Sequence, residues 1–186
     1  MTNKTSSKKA KTIPDKLLKG SCQCGAVSFQ VKSNQYYPYQ LCYCSICRKV
    51  DGGGGFTINL SARMPTLKVQ GEKYIAKHRA RIKNPGDKHA HRGHGERTFC
   101  KLCGTFLWVF DHEWPDLMHP FASAIDTSLP VPPEKTHLML EFKADWVKPN
   151  FGPKDKKFQR YPKESIRAWH DRAILKLKAR DTKDEA

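Results

Sequence analysis

The sequence predicts a mainly β fold: an antiparallel β domain held together by metal-binding cysteines and followed by a C-terminal amphipathic helix. Three observations lead to this prediction. Short segments alternate apolar and polar residues, seven cysteines fall in closely spaced groups, and apolar side chains recur at helical spacing near the C-terminus. Alternation with a period of two is typical of half-buried strands, whereas a period of 3.6 is typical of helices.

Six segments carry the strand pattern, with glycine, proline and asparagine at their boundaries. They lie at residues 27–31, 56–60, 67–69, 105–110, 121–125 and 137–142. This many short strands indicates a mainly antiparallel domain. The polar stretch 83–96, KNPGDKHAHRGHGE, is predicted to be a loop.

The chain divides into three predicted parts. Residues 1–19 are rich in lysine, serine and threonine without an apolar period, which predicts a disordered basic tail. Residues 20–149 form the cysteine-bearing domain. Residues 150–186 form a basic linker and a helix, which we expect to pack on the domain. A basic helix that docks on a partner or on nucleic acid is the alternative.

The predicted helix has two different faces. Its apolar stripe contains Ile166, Trp169, Ala173 and Leu177, with Ile174 beside it. Its opposite face carries Arg167, Arg172 and Lys176.

The formal net charge of +16 over 186 residues is concentrated at the two ends of the chain. Residues 1–19 hold six basic and one acidic residue, and residues 148–186 hold twelve basic and six acidic residues. No apolar run approaches the roughly 20 residues that a bilayer span needs. The first residues lack the apolar segment of a secretory signal, so we expect a reducing compartment, the cytoplasm or else the nucleus.

The seven cysteines are predicted to be metal ligands. They are Cys22, Cys24, Cys42, Cys44, Cys47, Cys100 and Cys103. An odd number excludes a complete disulfide framework, and the C-x-C and C-x-x-C spacings are those of zinc sites. The alternative is that several of them are buried small apolar residues.

The spacings favour a division of the cysteines into four and three. The pair Cys22 and Cys24 together with the pair Cys100 and Cys103 would complete a tetrahedral, closed zinc site. Cys42, Cys44 and Cys47 would then hold a second zinc with an open fourth position, as catalytic zinc sites do. Other pairings stay open, and a histidine could close the second site. The candidates are His78, His89, His91, His94, His112, His119 and His137.

Four segments carry a family resemblance. GSCQCGAV (20–27), LCYCSICRK (41–49), RTFCKLCGTFLW (97–108) and HLMLEFKADWVKP (137–149) resemble the glutathione-dependent formaldehyde-activating enzyme family, which includes the centromere protein V group. The resemblance implies an Mss4-like fold and two zinc ions per chain. It assigns Cys22, Cys24, Cys100 and Cys103 to a structural zinc, and Cys42, Cys44 and Cys47 to a catalytic zinc.

The resemblance also implies an activity. Family members join glutathione and formaldehyde into S-hydroxymethylglutathione, a carbon–sulfur lyase reaction read in reverse. An open zinc could take the thiol as thiolate or polarise the aldehyde oxygen, and the three thiolates already present favour the first role. Arg48 and Lys49 could attract the substrate's carboxylates, or they are ordinary solvated charges. His119 and Asp126 are left without an assigned role.

A second hypothesis comes from the basic ends of the chain. In it, the protein is a non-enzymatic zinc module whose tails bind nucleic acid or an acidic partner. Binding by tail charge alone would be weak, non-specific and sensitive to salt. The sequence predicts neither the oligomeric state nor the identity of a general acid or base.

Overall fold

The computed structural model describes residues 13–50, 53–83, 86–173 and 177. The first six strands are β1 (Lys16–Ser21), β2 (Ser28–Ser33), β3 (Gln40–Cys42), β4 (Thr57–Ile58), β5 (Ala62–Arg63) and β6 (Lys68–Gln70). The next six are β7 (Ile75–Ile82), β8 (His91–Cys100), β9 (Phe106–Phe110), β10 (Leu117–Pro120), β11 (Thr136–Leu138) and β12 (Lys156–Lys157). The α-helices are α1 (Ser45–Val50) and α2, residues 166–173.

Four short 3-10 helices complete the described elements, at Met64–Thr66, Glu72–Tyr74, Ala122–Ala124 and Leu140–Phe142. Within the described ranges, no helix combines the length and the apolar character that a membrane span requires.

The strands form three sheets. One has the order β1-β2-β6, and a second has the order β5-β10-β9-β8-β7, with antiparallel pairing throughout both. The third has the order β12-β11-β3-β4, in which β11 runs parallel to both β3 and β12. The mainly β, antiparallel prediction is therefore confirmed, with one mixed sheet added.

The main core lies between the first two sheets. Inward-facing residues of β1 and β2, among them Leu18 and Phe29, pack with Leu107 and Trp108 of β9 in one cluster. The rings of Phe29 and Trp108 meet edge to face with centroids 5.1 Å apart. Leu107 and Trp108 are neighbours on β9 and point to opposite faces, so the cluster packs against both faces of the five-stranded sheet at this point.

Two loop predictions are wrong. The disordered tail was predicted to reach residue 19, but Lys16–Lys19 lie in β1 and pair with β2; residues 1–12 lie outside the described residues. The loop at 83–96 was predicted from its polarity, but His91–Glu96 belong to β8 and continue its ladder with β7. Strands β7 and β8 are largely exposed at this end of the ladder, so they lack the apolar alternation that identifies strands.

Two predicted strands are mainly 3-10 helix. Residues 121–125 contain the turn Ala122–Ala124, and the segment 137–142 leaves β11 at Leu138 to form the turn Leu140–Phe142. Apolar runs this short do not distinguish a strand from a tight helical turn.

The segment after residue 149 packs on the domain. β12 pairs with β11 inside the part that was predicted to be a linker. Helix α2 begins after Ser165, whose hydroxyl accepts the Ala168 N–H at 3.1 Å as an N-cap. The indole of Trp169 is fully buried and stacks on Tyr39 with centroids 3.7 Å apart. The C-terminal amphipathic helix is confirmed.

The basic face of α2 differs from the prediction. Arg172 does not point freely to solvent, because its guanidinium bonds both oxygens of Glu164 at 2.7 and 2.8 Å and contacts Glu134 at 2.6 Å. Ile174 and Lys176 lie outside the described residues. The nucleic-acid alternative stays a prediction, since most of the N-terminal lysines also lie outside them.

Candidate metal centres and the cleft beside one of them

The structure brings the sulfur atoms of Cys22, Cys24, Cys100 and Cys103 together within 4.8 Å of one another. We call these residues the four-cysteine group. Two turns supply them: the first follows β1, and the second follows β8. Each turn ends in a glycine with positive φ, 76° at both Gly25 and Gly104, a conformation that other residues adopt only with strain.

The four-cysteine group has the dimensions of a tetrahedral zinc site. The Cys22 and Cys24 sulfurs lie 3.6 Å apart, and those of Cys24 and Cys100 lie 3.8 Å apart. Zn–S bonds of about 2.3 Å would place tetrahedral sulfurs about 3.8 Å apart. The Cys22 sulfur also accepts the Val27 N–H at 3.2 Å, which favours the thiolate form that binds metal.

Thr105 connects the two turns of the four-cysteine group. Its hydroxyl oxygen accepts the Gln23 N–H at 3.1 Å and lies 3.2 Å from the Cys103 sulfur. The hydrogen bond with the Thr105 hydroxyl is the main reason that the pKa of Cys103 falls to about 5. The group therefore has its own outer contacts, as metal-ligand sets usually do.

Cys42, Cys44 and Cys47 form the second cluster, with their sulfurs also within 4.8 Å of one another. We call them the three-cysteine group. Cys42 ends β3, Cys44 immediately precedes α1, and Cys47 lies in its first turn. The Cys44 sulfur accepts the Cys47 N–H at 3.3 Å, so the cap of α1 also sets the spacing of two sulfurs.

Crowding makes one thiol of the three-cysteine group acidic. Hydrogen bonds from the thiols of Cys42 and Cys47 hold the pKa of Cys44 far below its usual value. The pKa of Cys42 is raised, mainly because its thiol is hydrogen-bonded to Cys44 and Cys47. A set of clustered sulfurs with a ready thiolate fits a thiophilic metal such as zinc. Among the described residues, no histidine or carboxylate joins the three sulfurs within 4.8 Å. The alternative that a histidine closes this site therefore finds no candidate among the described residues in this geometry.

The three-cysteine group lies in the wall of a surface cleft with a volume of about 340 Å³, called the cleft from here on. Cys42 and Cys47 line one side of it. The polar residues that line it are Gln40, Asn59, Arg97, His119, Tyr161, Glu164 and Ser165. They come from the strands of two sheets, from the loop after β4 and from the segment before α2.

Strand register places Arg97 and His119 on the same face of the five-stranded sheet. Val109 of β9 is opposite Arg97 of β8 on one side and opposite His119 of β10 on the other. Directly opposed residues share a face, and neighbouring strands lie about 4.8 Å apart. All three therefore project into the cleft from adjacent strands, opposite to the face that carries Trp108 into the core.

Arg97 carries a guanidinium with little internal bonding. Its Nε is buried and has no hydrogen-bond partner among the described residues. Its Nη1 donates to the Gly95 carbonyl at a long 3.5 Å. The residue as a whole is half-buried, and an anionic group in the cleft could accept a hydrogen bond from the buried Nε.

Behind the three-cysteine group lies a buried chain of three side chains. The Tyr43 hydroxyl lies 2.9 Å from His137 Nδ1, and His137 Nε2 lies 3.1 Å from an oxygen of Asp155. The same carboxylate accepts the N–H groups of Lys135 and Gly152, both at 2.9 Å. These hydrogen bonds connect Tyr43, which lies between Cys42 and Cys44, to β11 and to the loop before β12.

Several residues considered in the sequence do not line the cleft. Arg48 and Lys49 are absent from its walls, so Arg97 takes the position that they were expected to fill. Asp126 lines a separate surface depression with Lys19. Sequence reasoning missed Arg97, Asn59 and Tyr161, and it left His119 without a role. The alternation of side chains along β8 would have placed Arg97 on the face opposite Cys100. The residues of other strands that share this face with Arg97 depend on strand register, which the sequence does not give.

Two comparisons with known proteins point to the same family. The profile of the family described as glutathione-dependent formaldehyde-activating enzyme matches residues 17–140. A protein of Halomonas elongata, provisionally named a glutathione-dependent formaldehyde-activating enzyme, is 52% identical over 159 residues. The match covers 86% of this chain and 98% of that relative.

A solved structure gives a weaker likeness. The crystal structure of a Rhodobacter sphaeroides protein matches with a TM-score of 0.45 and 24% identity. The match covers 60% of this chain and 91% of that one.

Proposed function

The chain belongs to the glutathione-dependent formaldehyde-activating enzyme family, and on that premise we propose that it is a zinc-dependent carbon–sulfur lyase. The reaction joins glutathione, or a similar thiol, to formaldehyde or a similar small aldehyde, and releases them in the reverse direction. The observation that carries the proposal is the three-cysteine group, which no fourth described side chain closes, in the wall of a polar cleft. The four-cysteine group, on the same premise, holds a structural zinc.

The three-cysteine group would hold the catalytic zinc. When bound there, zinc supplies an open coordination position at which a substrate thiol loses its proton at neutral pH. The chain's own residues then have to bind the rest of the substrate and keep it oriented. The cleft volume lies within the usual range for small-molecule sites, roughly 300–1,000 Å³.

Arg97 is suited to bind a carboxylate of the thiol substrate. Glutathione carries two carboxylates, and a guanidinium can bind one of them through two parallel hydrogen bonds. The buried Nε of Arg97 would gain the acceptor that it lacks among the described residues. Tyr161 stands at the rim of the cleft with 73% of its surface exposed, where its ring can cover the bound peptide.

The test is a comparison of exchange rates at equilibrium. Glutathione and formaldehyde combine without a catalyst, so the measurement is the NMR exchange rate between glutathione and S-hydroxymethylglutathione above the spontaneous rate. The parent protein should accelerate the exchange, and Cys44→Ser should return it to the spontaneous rate. Lys49→Met, a matched change of an exposed residue outside the cleft, should keep the parent rate. Equal rates for Cys44→Ser and the parent would reject the proposal.

A further inference from the structure

Among the described residues, the imidazole of His119 has a hydrogen-bond partner at only one of its two nitrogens. It lies half-buried in β10, and its Nδ1 is 2.9 Å from the carbonyl oxygen of Leu60. A carbonyl oxygen only accepts hydrogen bonds, so Nδ1 must carry the ring hydrogen. A neutral imidazole has one N–H, and Nε2 is therefore the nitrogen with the free lone pair.

The surroundings keep His119 neutral. Burial lowers the pKa of His119 because it disfavours the imidazolium form, although the Leu60 carbonyl opposes this shift. Within the described part of the chain, nothing hydrogen-bonds to Nε2. The cleft thus contains a proton acceptor with a fixed tautomer and no internal partner.

Two other titratable groups near the three-cysteine group are already hydrogen-bonded, and the hydroxyl of Tyr161 keeps its proton because desolvation raises its pKa to about 12. Glu164 binds Arg172 through both oxygens, and this ion pair lowers the pKa of Glu164 and makes it a weak base. His137 contacts Tyr43 through one nitrogen and Asp155 through the other. Of these side chains, His119 alone combines access to the cleft with an unused basic atom.

His119 also fails to complete the metal-ligand set. Neither of its ring nitrogens lies within 4.8 Å of all three sulfurs. A histidine in the same cleft but outside the ligand set is placed to act on the substrate, whose reacting atoms occupy the space between.

We propose that His119 is the proton carrier of the lyase reaction, an inference that rests on the function proposed above. In synthesis, the thiol S–H bond breaks and its proton moves to Nε2. The sulfur lone pair forms the carbon–sulfur bond with the aldehyde carbon, and the π electrons of the carbonyl move to its oxygen. That oxygen takes the proton from Nε2, which leaves R–S–CH2–OH and neutral His119. Cleavage follows the same steps in reverse.

The key variant is His119→Asn. The asparagine amide can still donate to Leu60, so β10 keeps its link to the loop after β4, but the acceptor in the cleft is lost. Loss of a positioned acid–base group costs roughly 100-fold or more in kcat. Because substrate binding is left in place, KM should change by less than about threefold. His89→Asn, a change of an exposed residue in the loop between β7 and β8, is the control and should leave both constants unchanged.

Three further measurements exclude a merely structural role. Metal analysis of His119→Asn should give the same zinc content as the parent protein. In ¹⁵N-histidine spectra of the parent, His119 should show a protonated Nδ1 and an unprotonated Nε2. Added imidazole should restore part of the turnover of His119→Ala, in which the cleft has room for it.

The outcomes separate this inference from the function on which it rests. If the parent accelerates the exchange and His119→Asn stays within about threefold of its kcat, the proton-carrier role is wrong and the lyase function stands. If the variant loses one zinc per chain, or if Nε2 carries the hydrogen, the role is also wrong. If the parent itself fails to exceed the spontaneous rate, both proposals fall together.

Discussion

The two cysteine groups differ in where their members come from and in what surrounds them. The four-cysteine group joins two turns whose cysteines are as far as 81 positions apart in the chain, from Cys22 to Cys103. The three-cysteine group comes from one stretch of six residues at the end of β3 and the start of α1. Cys24 of the first group is exposed at the surface, whereas Cys42 and Cys47 of the second are buried beside the cleft.

The origin of each group limits what a metal bound there could do. A metal shared by two distant turns closes a long loop and stabilises the fold, and it needs no space around it. A metal held by one local stretch adds little long-range connection. The side of the three-cysteine group that faces the cleft is instead accessible, and Arg97, His119 and Tyr161 lie around it. On the function proposed above, we therefore expect the first group to stabilise the fold and the second to carry the chemistry.

The largest expected effect is the loss of a sulfur from the four-cysteine group. Cys100→Ser removes a fully buried sulfur at the end of β8. We expect the variant to misfold or to lose at least about 5 kcal/mol of unfolding free energy, since structural zinc sites contribute folding energy outright. Thermal denaturation followed by circular dichroism measures this change, with Cys44→Ser as the matched control. A melting temperature for Cys100→Ser equal to that of Cys44→Ser would remove the distinction between the groups.

Metal removal should separate the groups in time. A chelator can reach the three-cysteine group through the cleft, and a set of three protein ligands releases metal more readily than a set of four. We expect zinc to leave in two phases, with all turnover lost in the first and the circular dichroism spectrum unchanged until the second. The measurement combines a colorimetric zinc indicator with the exchange assay. Loss of both zinc ions and of the fold in a single phase would contradict the comparison.

The division of the cysteines could be predicted from the sequence because their signal is local. The C-x-C and C-x-x-C spacings are geometric statements about single turns, and the structure brings the same four and the same three sulfurs together. Their roles as zinc ligands stay a prediction. The alternation of Phe29 and Val31 likewise reported a strand whose buried face can be read from neighbouring residues.

The cleft could not be predicted because its walls depend on long-range order. Arg97 and His119 meet only through the register of three strands, and Tyr161 arrives with a segment that looked like a linker. β1 was missed because Leu17 and Leu18 are adjacent and only Leu18 is buried, so no alternation appears. Sequence periodicity predicts an element only where alternate side chains are buried. In these elements, burial depends on contacts with residues far along the chain.

Arg97→Met should weaken binding of the thiol substrate without affecting the four-cysteine group. Loss of a charge-assisted, bidentate contact costs about 2–3 kcal/mol, which corresponds to a KM for glutathione raised roughly 30- to 150-fold. A thiol without a carboxylate, such as 2-mercaptoethanol, should be used equally well by the variant and the parent. If both thiols lose turnover to the same extent, Arg97 does not bind the carboxylate. Arg63→Met, a change of an exposed residue on β5, serves as the control.

The smallest expected effect concerns the support behind the three-cysteine group. Asp155 accepts two backbone N–H groups and contacts His137, so its carboxylate form is well bonded. Burial acts to raise the pKa of Asp155, but the hydrogen bonds from Lys135 and Gly152 outweigh it and hold that pKa below the usual value. Asp155→Asn should therefore cost about 1–2 kcal/mol of unfolding free energy at pH 7.

The pH dependence of this cost follows from the direction of the shift. A carboxyl whose pKa is lower in the folded state stabilises the fold fully above its unfolded pKa of about 3.9, and the contribution disappears as the pH falls through the folded value. The difference in unfolding free energy between parent and Asp155→Asn should thus stay constant from pH 8 to about 5 and shrink below about 4. Chemical denaturation across this range measures it, with the exposed Asp145→Asn as control. A difference that grows toward low pH would mean that Asp155 is protonated in the fold, and the chain from Tyr43 to Asp155 would then not support the three-cysteine group in the way described.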